Sequence, residues 1–166
     1  GSLNRVVPGR KDENRGVILI GGPSDHFEWR ESALIGQIAR LCDGSGQWQL
    51  TTSRRTPPGF HRTLRELRLP GLESWAFHAL PDEWLGETLS RSDRCWVTPD
   101  SASMVYEALS SGAAVGVFEL PAVSGSRIAG ALSDLAERGR VTSFRKFDVT
   151  NRMQARGEPL AEADRI

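Results

Sequence analysis

Short apolar runs alternate with amphipathic stretches along this chain. Residues 16–22, GVILIGG, form a continuous apolar run ending in glycines, the signature of a strand buried on both faces. Leu34, Ile35, Ile38, Leu41 and Cys42 then fall on one helical face, and the DGSG stretch at 43–46 ends that helix. Residues 48–53, 74–78, 94–98, 114–118 and 141–144 predict further strands. Between them, helical spacing recurs at Phe60, Leu64 and Leu67; at Trp84, Leu85 and Leu89; at Val105, Ala108 and Leu109; and at Ile128, Leu132 and Leu135. Of the tryptophans, Trp48, Trp75, Trp84 and Trp96 lie on these elements and are expected in the core, whereas Trp29 is a candidate to line a cleft.

Buried strands joined by helical crossovers imply a parallel sheet covered on both faces. The expected fold is α/β, a Rossmann-like doubly wound sheet with strand order 3-2-1-4-5-6. Residues 16–144 are read as this domain. Residues 1–15 are read as a cloning scar (Gly1-Ser2) followed by an interdomain linker. Residues 145–166 are read as a polar tail with a short terminal helix.

Composition narrows the function classes. The 166 residues carry 21 Lys plus Arg and 21 Asp plus Glu, a net charge of zero. That balance lacks the electrostatic footprint of a duplex-binding protein, so no nucleic-acid partner is expected. The two cysteines, Cys42 and Cys95, and the three histidines have no metal-ligand spacing, so no metal site is expected. The cysteines read as buried, reduced thiols. No apolar run reaches the roughly 18 residues that span a bilayer. The expected location is cytoplasmic, with peripheral membrane attachment left open.

Ligands of open parallel sheets bind outside the carboxyl ends of the strands. Three polar loops occupy those ends. The first holds Gly21, Gly22, Ser24 and His26. It lacks both G-x-G-x-x-G and the P-loop pattern, which removes the main support for NAD or ATP hydrolysis. The second holds Arg54 and Arg55, two guanidinium forks suited to a diphosphate, or else a solvated surface pair. The third, residues 99–103, opens a helix that Asp100 or Ser101 can cap. The free amides and dipole of that helix end favour an anion. Glu107 follows Ser103 by four residues on the same face and could hold a ribose. The plainer alternative is a wet helix face. His26 is a weak candidate for a general acid, and a hydrogen-bonded structural role is its alternative.

Residues 21–29 (GGPSDHFEW), 50–57 (LTTSRRTP) and 97–109 (VTPDSASMVYEAL) together resemble the bacterial relatives of the plant mitochondrial-fission "elongated mitochondria" protein, often labelled predicted nucleoside-diphosphate-sugar epimerases. More distantly, the pattern resembles the nucleotide-sugar half of GT-B glycosyltransferases. The resemblance implies a C-terminal half whose N-terminal partner domain holds the acceptor and the catalytic base. It implies that Gly21, Gly22 and Ser24 approach the donor, that Ser101, Ala102 and Ser103 open the binding helix, and that Glu107 holds the ribose. Pro23 and the Ser-Arg-Arg-Thr loop depart from the GT-B pattern. The expected ligand is a nucleotide sugar, taken as substrate with no separate cofactor. A lipid-linked acceptor is compatible with it. Two rival functions are an NDP-sugar epimerase, with Asp25, His26 and Glu119 as acid-base candidates, and a non-catalytic module that recruits fission machinery.

Overall fold

Val17 and Leu19 face one side of a central sheet, and Ile18 and Ile20 face the other. This alternation splits the core into two layers. A computed structural model describes residues 12–44 and 46–147. The strands are β1 (Asp12–Leu19), β2 (Gln47–Thr51), β3 (Leu72–Trp75), β4 (Ser92–Val97), β5 (Ala114–Val117) and β6 (Val141–Ser143). All pair in parallel, in the order β3-β2-β1-β4-β5-β6. This is a Rossmann-like fold with the expected strand order.

The helices are α1 (Glu31–Cys42), α2 (Pro58–Glu66), α3 (Trp84–Arg91), α4 (Ala102–Ser110) and α5 (Arg127–Glu137). Leu89 of α3, Val105 and Ala108 of α4, and Leu132 and Leu135 of α5 cover the face of Val17, Leu19, Cys95 and Val97. Leu34 and Ile38 of α1, and Phe60 and Leu64 of α2, cover the face of Ile18, Leu50, Trp48 and Trp96. Two glycines make this second layer possible. Gly16 pairs with Trp48 and Gly116 with Trp96 across neighbouring strands, and a methyl at either glycine would overlap the indole. Trp96 also packs against Phe118 and Phe144, with ring centroids 5.5 and 5.4 Å away. Such ring pairs add about 0.5–1.5 kcal/mol each beyond burial.

Several sequence expectations need correction. β1 starts at Asp12, inside the stretch read as linker. Main-chain pairing of Asp12 with Ser92 and Arg15 with Gln47 extends the ladder through residues with no apolar signal. β3 ends at Trp75, and Phe77–Ala79 is a 3₁₀ turn. There the Phe77 amide leaves the ladder and donates to Thr52 Oγ1 at 3.1 Å. Because β3 is an edge strand, Trp75 is only half-buried. Trp84 packs edge-on against it and is half-buried too. Trp29 is half-buried, packs on both core layers and lies 6.0 Å from the Phe60 ring. Most of the tail at 145–166 and all of residues 1–11 lie outside the described residues, as does the terminal helix expected there.

Cys42 and Cys95 are both buried and free. Burial pushes the Cys42 thiol up to about 12, so it is protonated and inert at neutral pH.

Candidate functional site

The loops after β1, β2 and β4 meet at the carboxyl end of the sheet, held by side-chain bonds that cross between them. The Gly21 amide donates to Thr98 Oγ1 at 2.8 Å, and the Gly22 amide donates to Asp100 Oδ2 at 3.0 Å. Arg55 donates to the same Asp100 oxygen at 2.7 Å and to Ser101 Oγ at 3.1 Å. Thr56 donates to the Gly21 carbonyl at 2.5 Å and accepts from the Ser53 amide at 2.9 Å. The Asp100 side chain is 1% exposed and that of Arg55 is 48% exposed.

These bonds explain the glycine pair. A methyl at Gly21 would overlap the Asp100 carboxylate and the Ser101 hydroxyl, and one at Gly22 would overlap the Arg55 carbonyl. The close approach here is to the chain's own residues. Both glycine amides already have acceptors, so neither is free to bind a phosphate without breaking a loop-to-loop bond.

The open donors lie elsewhere. A cleft of about 520 Å³ sits at the start of α4, lined by Ser53, Arg54, Arg55, Ser101, Ala102 and Ser103, with Ile128 on its far side. That volume falls within the range of small-ligand sites, about 300–1,000 Å³. No side chain caps α4, although Asp100 and Ser101 are both capping types. Asp100 Oδ2 is instead turned back to Gly22, Arg55 and Ser101, and its buried Oδ1 has no hydrogen-bond partner among the described residues. The first turn of α4 therefore presents its amides to the cleft without a competing side chain.

The two arginines differ. Arg55 Nη2 serves Asp100 and Ser101. Arg54 is exposed and makes no ion pair among the described residues. Glu107 lies one turn beyond Ser103 on α4 and does not line the cleft. It is half-buried, its carboxylate makes no hydrogen bond or ion pair among the described residues, and burial raises its pKa above the usual carboxylate value.

The remaining candidates are tied into structure. Ser24 Oγ accepts from the His26 amide at 3.2 Å. The His26 ring meets Ser126 Oγ at 3.1 Å, and that hydroxyl caps α5 by accepting from the Ala129 amide. Hydrogen bonds from the Glu28 amide to the Pro121 carbonyl and from the Val123 amide to the His26 carbonyl fasten the whole loop to the segment after β5. Glu119 accepts from Ser143 at 2.9 Å and from Arg145 at 3.1 Å. Neither Ser24, Asp25, His26 nor Glu119 lines the α4 cleft. Among the described residues, no three His, Cys, Asp or Glu side chains come together as metal ligands.

Sequence patterns alone do not point to Thr98 or Thr56, and they give Asp100 only a capping role. One signal was present: threonine and aspartate at the end of a buried strand, opposite glycines on the next strand, provide acceptors that the loop amides need.

No curated protein matches the chain. Among solved structures, the crystal structure of AnUbiX (PadA1) in complex with FMN and dimethylallyl pyrophosphate matches at 14% identity and a TM-score of 0.45, over 82% of this chain and 78% of that one. That likeness is too loose to carry a ligand across. The family model described as mitochondrial fission ELM1 matches residues 3–166, through all three converging loops and all six strands, so the chain belongs to the mitochondrial fission ELM1 family.

Proposed function

We propose that this domain binds a nucleoside diphosphate sugar at the start of α4, as the donor half of a glycosyltransferase-like protein. The observation that carries the reading is the uncapped first turn of α4, opening into a cleft that Arg54 and Arg55 border. A diphosphate there would receive the amides of Ala102 and Ser103 and the Arg54 guanidinium, while the Ser101 hydroxyl stays on Asp100. Arg55 keeps Nε and Nη1 for the ligand while Nη2 holds Asp100. A helix end and two guanidiniums supply the charge stabilisation that a leaving diphosphate needs without a metal.

Glu107 fits a ribose partner because it is a desolvated carboxylate lacking donors of its own. A ligand running one turn along α4 from Ser103 would bring two hydroxyls to it. The glycine loop has a supporting role, fixing Asp100 and through it Arg55. Transfer would require an acceptor and a base from a partner domain. The epimerase reading loses ground because His26 and Glu119 already serve Ser126, Ser143 and Arg145.

Calorimetric titration of the chain with UDP, GDP, UDP-sugars and NAD, each beside its nucleoside, tests the proposal. Binding of a diphosphate should exceed that of its nucleoside, and Arg54→Ala should cost about 1.5–3 kcal/mol for the diphosphate only. Equal losses for both ligands would remove Arg54 from the phosphate site.

A further inference from the structure

A second, larger hollow lies on the other side of Arg54. It is about 1150 Å³ and runs between α2 and the exit of β3. Arg54, Arg62, Arg65 and Arg68 line it, and Glu66 is its one acidic residue. Four positive charges against one negative leave +3 in this trough, on a chain whose total is zero. None of the four arginines makes an ion pair among the described residues, and all four are exposed. Arg62, Arg65 and Arg68 recur every three residues, so they follow one side of α2 and its end.

The facing wall is different. It carries Trp75, Phe77 and His78, and Phe77 is 38% exposed. His61 is steadied at the floor by a 3.0 Å contact with Ser74. A concave surface with guanidiniums on one side and aromatic rings on the other suits a group that concentrates several negative charges and bears an organic substituent. A lone carboxylate has too little charge to offset +3. Phosphate and diphosphate esters have enough, and the planar guanidinium fork matches their oxygens.

We propose that this trough is a second anion site, separate from the α4 cleft, which binds the phosphate or diphosphate group of an ester whose organic part rests on Phe77 and Trp75. The ester can be a soluble metabolite or a lipid headgroup, and the chemistry at the arginines is the same. Ser53 and Arg54 border both hollows, but Arg62, Arg65 and Arg68 line only the trough, so changes at those positions test it apart from the nucleotide reading.

The test compares the full chain with Arg62→Ala/Arg65→Ala, two exposed positions whose change should leave the melting temperature unaltered. Inorganic pyrophosphate is titrated into both. The number of sites should fall by one in the double variant, or the affinity of one site should weaken at least about tenfold. That change is expected whether or not the α4 cleft also binds pyrophosphate, so this proposal and the nucleotide reading can fail separately. In a second arm, vesicles of phosphatidic acid or of phosphatidylcholine are pelleted with each protein. Selective pelleting of the unaltered chain by phosphatidic acid assigns the headgroup, and pyrophosphate binding without pelleting assigns a soluble ester. Equal behaviour of the two proteins in both arms, or no binding in either, overturns the proposal. So does a double variant that loses nucleoside diphosphate and pyrophosphate together, since the trough would then be part of one site.

Discussion

Arg55 and Asp100 are 45 residues apart and form a 2.7 Å ion pair in which the carboxylate is buried and the guanidinium is half-exposed. The pair joins the loop after β2 to the loop after β4. Asp100 also anchors Gly22, so one carboxylate oxygen sets the relative positions of three loops. Asp100→Ala should therefore destabilise the fold by about 2–3 kcal/mol, because it orphans the Gly22 amide as well as Arg55. Arg55→Ala should cost about 1–2 kcal/mol, since water reaches the guanidinium side. Urea melts of both single variants and the double variant would give their coupling. A coupling within about 0.3 kcal/mol of zero would mean that the pair does not act as a unit.

Thr98 is fully buried, and its hydroxyl accepts from the Gly21 amide. Thr98→Val keeps the shape and removes the acceptor. The orphaned amide should cost about 1–3 kcal/mol. Hydrogen exchange at Gly21 should quicken more than at Val97, one residue earlier on the strand. Unchanged exchange at Gly21 would show that another group takes over the bond.

Glu107 should make stability depend on pH. Burial raises its folded pKa above the unfolded value near 4.5. Above that unfolded value the folded state holds a proton that the unfolded state has released. This group's contribution to stability therefore falls as pH rises from 4.5 through the raised folded pKa. Glu107→Gln should flatten that slope and stabilise the chain at neutral pH. A variant with the same pH profile as the parent would place Glu107 in water.

Arg68 follows α2 with φ of +48°, a left-handed conformation that glycine adopts more readily. Arg68→Gly should raise stability by about 0.5–1 kcal/mol, net of glycine's extra chain entropy. If the trough binds phosphate esters, the same change should weaken pyrophosphate. A gain in stability with that loss in binding would identify a residue kept at a structural cost.

The sheet was legible because its strands are short apolar runs and its helices have clear one-sided spacing. The sequence alone places Val17, Ile18, Trp96 and Leu132 on buried elements, though it does not say which layer each joins. What stayed hidden depended on main-chain pairing or on partners far along the chain. The residues from Asp12 to Arg15 join β1 through backbone bonds, which hydropathy does not report. Trp75 looked like core, yet its strand is an edge with a neighbour on one side only. At the candidate site, the convergence of three loops followed from topology. The resemblance implies that Gly21 and Gly22 approach the ligand, whereas the acceptors of their amides, Thr98 and Asp100, are 77 and 78 residues away and leave no local signal. Likewise, the basic trough combines arginines of α2 with rings after β3, and neither segment is unusual alone.

The proposed site puts an anion on the first turn of α4, with the glycine loop only bracing it. Amide chemical shifts during a titration with UDP separate these roles at single residues. An anion on α4 should shift the amides of Ala102 and Ser103 most and saturate them together, while those of Gly21 and Gly22 move little because Thr98 and Asp100 hold them. Saturating shifts at Gly21 and Gly22 with a still α4, or no saturating shift at any of the four, would contradict it.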